Sequence, residues 1–127
     1  MTTKEAIFSD KLAPPVGPFS TAIRSGELLF FRGQVGQDPA TGKLVSGGVE
    51  RETEQIFANL AAVLSAAGRS FADVLRAGVF LTDMGSFAAV NAIYARHFTK
   101  PFPARTTVGV ASLPLGASVE IDFTVKA

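Results

Sequence analysis

The 127-residue chain has no cysteine and a single histidine, His97. Without cysteine there is no disulfide, no thiolate-held zinc and no thiol nucleophile. One imidazole cannot supply the histidine cluster of an ordinary transition-metal site, so no metal is expected. An excess of one charge is also missing. Twelve Lys plus Arg against eleven Asp plus Glu leave a net charge of +1, and no stretch gathers the positive charges into a stripe. Neither nucleic acid nor an anionic membrane is therefore expected as a partner. No apolar run reaches the length of a membrane span, and the opening MTTKEAIFSDK lacks a signal-peptide core. The expectation is a soluble, cytoplasmic protein.

What the chain does have is apolar residues, 47% of the total, with a mean hydropathy of +0.30. Its length suits one domain spanning 1–127. So short a chain has more apolar surface than its own core can hide, which predicts self-association.

The run ELLFFRGQVG (27–36) reads as a strand, and DPATGKLVSGG after it as a loop or hairpin. From Val49 the period changes: Ile56, Leu60, Val63, Leu64 and Ala67 recur at helical spacing, and Gly68 is placed to end the helix. The spacing predicts a helix over 49–67. In DVLRAGVFLTD, Leu75, Ala77, Val79 and Leu81 alternate with Arg76, Gly78 and Phe80, a second strand. Ser86 suits the N-cap of a second helix with Phe87, Val90, Tyr94 and Phe98 as its apolar stripe, ended by TKPFP. The order predicts an α+β domain, a mixed sheet with both helices on one face. The other face, carrying residues such as Phe80, then needs cover, and a second copy of the chain is the simplest one.

The last stretch, FPARTTVGVASLPLGASVEIDFTV (102–125), reads as two strands closing the chain as a pair. Val119, Ile121, Phe123 and Val125 alternate with Glu120 and Asp122, and Thr106 and Val108 alternate with Arg105 and Thr107. If both apolar sets share a face, Arg105, Thr107 and Glu120 share the opposite one. The expected register sets Thr107 against Glu120 and Arg105 against Asp122. Two readings fit: an exposed cross-strand ion pair, or a pocket in which Arg105 grips a carboxylate while Glu120 handles a proton or a water.

The motif FPART followed by LPLGASVEI resembles the C-terminal signature of the RidA/YjgF/UK114 family of enamine and imine deaminases. GPFSTAI, RGQVGQDPATGKLV and AVNAIYARHF resemble further family segments in the same order, so the resemblance spans nearly the whole chain. It implies a RidA-like, chorismate-mutase-like fold and a homotrimer with active sites in intersubunit clefts. It also implies cofactor-free hydrolysis of 2-aminoacrylate or 2-iminopropanoate to a 2-keto acid and ammonia. By the same resemblance Arg105 matches the arginine that grips the substrate carboxylate, and Glu120 the acid that positions water. Asn91 matches a cleft asparagine, and Gly33 a glycine whose N–H assists carboxylate binding.

Three positions depart from the common family pattern. Phe19 stands in place of tyrosine, Thr107 in place of cysteine, and Arg32 in place of serine. Phe19 and Thr107 keep an aromatic wall and a small polar group. Arg32 could favour a dicarboxylic, aminomuconate-like substrate, pair with Glu120 and disable it, or turn into solvent. The alternative to an enzyme is a Rid homologue that binds small carboxylates without catalysis or acts as a chaperone. Lys100 and Lys126 are expected to be exposed, His97 to be a helix-edge residue, and Tyr94 to be core.

Overall fold

The computed structural model describes residues 3–127. Six strands, β1 (Glu5–Ile7), β2 (Ala22–Ser25), β3 (Leu28–Gln34), β4 (Val74–Leu81), β5 (Ala104–Gly109) and β6 (Val119–Lys126), form one sheet in the order β1-β2-β3-β6-β4-β5. Helices α1 (Val49–Ala66) and α2 (Phe87–Ala95) lie on one face, as expected for an α+β domain. β1 and β2 have no counterpart in the sequence reading. All strand pairs are antiparallel except β4 with β5.

The core sits between helices and sheet. Ile56, Leu60, Val63 and Leu64 of α1 meet Leu29, Val79, Ile121 and Val125, all buried. At its centre Phe57 touches Phe71, Tyr94, Phe98 and Phe123, and the His97 ring stacks flat on it at 4.2 Å. His97 is thus a packing residue at the end of α2, and Tyr94 is core as expected. No helix among the described residues is long and apolar enough to cross a membrane. No group of three or more His, Asp or Glu residues among them is arranged to hold a metal ion.

α1 stops one residue short of the predicted end. Gly68 takes φ +70°, its N–H donates to Ser65 O at 3.0 Å, and the Arg69 N–H donates to Leu64 O at 2.8 Å. Those two bonds close a Schellman turn, in which a residue of left-handed conformation satisfies the last helical carbonyls.

The predicted closing pair does not form. β5 lies at the sheet edge, parallel to β4, while β6 lies between β3 and β4. The reason is connection length and burial. Residues 110–118 step across β4 rather than making a tight turn, and β6, whose inward set is wholly apolar, takes the centre where both its edges are paired. β4 and β5 instead form a β-α-β unit around α2.

Three smaller corrections follow from local chemistry. A bulge between Val74 and Arg76 puts Val74 in the core and Leu75 outside, 47% exposed, against the simple alternation. Ser86 stands at the N-cap position of α2, as expected, but has helical dihedrals and makes no side-chain cap bond; the capping bond lies one turn earlier, where the Asp83 carboxylate accepts the Gly85 N–H at 2.8 Å at the start of a 3-10 turn, Met84–Ser86, that leads into α2. The helix ends at Ala95, before the TKPFP segment, and Phe87 stays exposed.

The face away from the helices is open and carries large apolar side chains beside its polar ones. Leu28, Phe30 and Val108 are exposed there, and Phe80 is half-buried. Gly68→Ala should lower stability by about 1–2 kcal/mol, the cost of placing an L side chain in the left-handed region, read as a shift of the urea midpoint with an unchanged slope.

Candidate active site

Alternation along β6 settles where Glu120 points. Val119 and Ile121 are completely buried under the helices, so Glu120 and Asp122 face the open side. On β3 the alternation is broken. Phe31 pairs with Phe123 and Gln34 with Ile121, so Arg32 and Gly33 together oppose Asp122. This bulge returns Gln34 to the core and leaves Arg32 and Gly33 both on the side of Glu120. Arg32 stays in phase with exposed Leu28 and Phe30, and the bulge adds Gly33 to the same side; the period of two could not decide its direction because both side-chain sets of the strand are apolar.

Gly33 is the floor on which Glu120 rests. A Cβ at Gly33 would overlap the Glu120 carboxylate, with the carboxyl carbon only 2.7 Å away. The absence of a side chain therefore creates the space the acid occupies. Around them lies a cavity of about 410 Å³, walled by Pro15, Val16, Phe19, Val35 and Leu115 and holding Arg32 and Glu120. The Arg32 guanidinium lies 4.9 Å from the centre of the Phe19 ring.

Burial pushes the Glu120 carboxyl above the usual glutamate range, and the nearby Asp122 pushes the same way, while Arg32 opposes them. Asp122 is itself held in place, accepting the Gly78 N–H at 3.0 Å with Arg76 at 3.7 Å. Burial likewise lowers the Arg32 pKa, and Glu120 opposes that. None of the ion pairs among the described residues joins Arg32 to Glu120.

Arg105 is elsewhere. In β5 it is level with buried Ala77 of β4, and Thr107 with buried Val79, so both rise on the helix side of the sheet. The outward set is Thr106 and Val108, level with Gly78 and Phe80. The expectation that Arg105, Thr107 and Glu120 share a face is overturned: pairing β5 with β4 instead of β6 reverses its parity. The Arg105 guanidinium packs on α2, 4.6 Å from the Tyr94 ring centre and 5.6 Å from that of Phe87. Asn91 is exposed on the same helix, three residues before Tyr94 and four after Phe87, and so lies on the same side.

The predicted residues thus fall into two groups, Phe19, Arg32, Gly33 and Glu120 at the cavity, and Arg105, Thr107 and Asn91 at the β5 edge beside α2.

Sequence reading missed the residues that hold the cavity rim. Glu52 and Asn59 of α1 are buried. The Glu52 carboxylate accepts the Ser118 N–H at 2.8 Å, and the Asn59 amide donates to Gln37 O at 3.0 Å. One helix therefore fixes both loops beside the cavity. The available signal was two polar residues seven apart on an otherwise apolar helix face.

A family model described as endoribonuclease L-PSP matches residues 10–127. Protein DfrA of Myxococcus xanthus is 46% identical over 121 residues, covering 94% of this chain and 92% of its own. A 2-iminobutanoate/2-iminopropanoate deaminase of Dermatophagoides farinae is 41% identical over 120 residues, covering 94% of both chains. Among solved structures, that of the Rid-family protein YyfA from Yersinia pestis, of unknown function, superposes with a TM-score of 0.95 at 36% identity, covering 98% of this chain and 100% of that one.

Carbon-detected NMR of labelled glutamate should place the Glu120 titration above that of an exposed glutamate. Arg32→Ser should move it further up and Asp122→Asn down, following the charges removed. A carboxyl whose folded pKa is raised contributes stability that is complete below its unfolded pKa and is lost as pH rises through the folded one. Glu120→Gln should therefore flatten the fall in urea midpoint across that interval.

Proposed function

The chain belongs to the RidA/YjgF/UK114 family, and from that premise we propose that it is an enzyme hydrolysing reactive enamines and imines of 2-keto acids, in a site completed by a second copy of the chain. The carrying observation is the Glu120 carboxyl, packed on Gly33 in a part-enclosed cavity and shifted toward holding its proton.

An imine carbon is already electrophilic, so its hydrolysis needs positioning, a water and a proton rather than a cofactor or a covalent nucleophile. Arg105 would take the substrate carboxylate through its planar fork, kept flat by the faces of Tyr94 and Phe87. The Gly33 N–H, Thr107 and Asn91 would complete the carboxylate and polar contacts, and Phe19 would wall the substrate. Glu120 would orient a water for attack on C2 and take its proton. The carbinolamine nitrogen, protonated by Glu120, then leaves as ammonia while the carbinolamine hydroxyl gives its proton back to the Glu120 carboxylate and C2 becomes the ketone. A carboxyl raised above its ordinary range is suited to both halves of that proton transfer.

Two observations support a shared site. Arg105 and Glu120 lie on opposite faces of one sheet, so one chain cannot bring both to one small ligand. The open face carries exposed Leu28, Phe30 and Val108, which a neighbouring copy would cover. A homotrimer in which each Arg105 reaches the neighbour's Glu120 satisfies both. With Arg32 and Glu120 not ion-paired, a disabled acid has no support in the geometry.

Glu120→Gln should lower ammonia release from iminopropanoate by about two to four powers of ten with little change in keto-acid affinity. Arg105→Ala should abolish both. Mixing the two inactive variants after co-refolding should restore about a quarter of the wild-type rate, the fraction of subunit pairs joining an intact Arg105 to an intact Glu120. No recovery from the mixture would sink the shared site.

A further inference from the structure

Arg32 is a half-buried guanidinium that the protein itself leaves unanswered. It is absent from every ion pair among the described residues, and its Nε is shielded from solvent without a hydrogen-bond partner. The nearest acid, Glu120, lies against Gly33 instead. A cation held in that way costs free energy unless something pairs with it. The cost is not incidental to a flexible side chain, because Arg32 projects from β3 on the open side with Leu28 and Phe30, lines the cavity and lies 4.9 Å from the Phe19 ring centre.

The cavity argues in the same direction. Its volume of about 410 Å³ falls within the range of roughly 300–1,000 Å³ that encloses drug-sized ligands. Apart from Gln37 the remaining wall is apolar, and part of it is Leu115, 56% exposed and in the left-handed conformation at φ 60°. A leucine rarely takes that conformation, and here it sets an apolar side chain at the rim.

Resting on the deaminase reading for the position of the first carboxylate, we infer that Arg32 is the anchor for a second one. The substrate class is the imine of a 2-keto acid with a carbon chain ending in another carboxylate. The neighbour's Arg105 takes the carboxylate beside the imine, Arg32 takes the distal one, the apolar wall lines the carbons between, and Glu120 stands at the imine. A guanidinium rather than an ammonium suits this place, since it binds a carboxylate in a planar fork and stacks on Phe19 at the same time.

The test compares 2-oxoglutarate with 2-oxobutanoate by calorimetry on the wild type, Arg32→Ser and Arg32→Gln, alongside ammonia release from the corresponding imines generated in situ by an amino-acid oxidase. The wild type should bind the diacid tighter by about tenfold or more, and both variants should lose that advantage while holding the monoacid within about twofold. Added salt should shrink the wild-type preference. Equal binding of the two acids by the wild type, no binding of either, or a preference that survives both substitutions overturns the assignment. If ammonia is released from the monoacid imine with no Arg32-dependent preference, the anchor fails and the deaminase stands. If the preference depends on Arg32 but no ammonia is released from either imine, the anchor stands and the hydrolytic reading fails.

Discussion

The central position of β6 is the constraint on which the rest depends. Val119, Ile121, Phe123 and Val125 are all essentially inaccessible, packed under α1 and paired on both sides by β3 and β4. A slip of one residue would expose all four and bury Glu120 and Asp122, so the register has no near competitor. The outward direction of the two acids is a consequence of that burial. Two glycines on the flanking strands then make room for them: Gly33 on β3 lies against Glu120, and Gly78 on β4 lies against Asp122. The cavity acid is thus fixed by the most stable part of the molecule rather than by a loop.

The cavity rim is held by a second set of interactions from the same core. Glu52 and Asn59 present polar groups on the buried side of α1, where each is matched to a backbone group of a neighbouring loop. Buried polar atoms are tolerable only when bonded, so these contacts fix loop positions as well as satisfying the side chains. Gly36 passes so close to Glu52 that a Cβ there would lie 2.8 Å from its Cα. Helix, loop and strand are consequently locked together around the cavity. Leu115, strained and exposed, is the exception, and it sits where the wall meets the opening.

The distribution of charge also acquires a meaning in three dimensions. Arg105 is spread on aromatic rings at one edge, and Arg32 is stacked on another ring at the cavity, each guanidinium supported from below by a π face. Glu120 lies in the cavity with Arg32 but on the face opposite Arg105. The proposed site needs a second chain to bring these two residues together, and the exposed apolar residues of the open face fit that proposal from packing.

Much of this was legible in the sequence. The helical spacing from Val49 with Gly68 after it gave α1 and its ending, and the alternation from Val119 gave β6 and the direction of Glu120, because both depend on local periods that burial enforces. The motifs at 17–23, 32–45, 89–98 and 102–121 carried the family. Other features required the fold. Which strand pairs with β5 depends on a crossover, so the parity of Arg105 relative to Glu120 could not follow from alternation. The direction of Arg32 depends on which face of β3 the helices cover, and that of Gly33 on a bulge whose extra residue is visible only against β6. The roles of Glu52 and Asn59 depend on backbone groups 66 and 22 residues away. Local chemistry determined the elements and the chemical groups; long-range pairing decided which groups meet, because period and propensity carry no information about the neighbour across a strand.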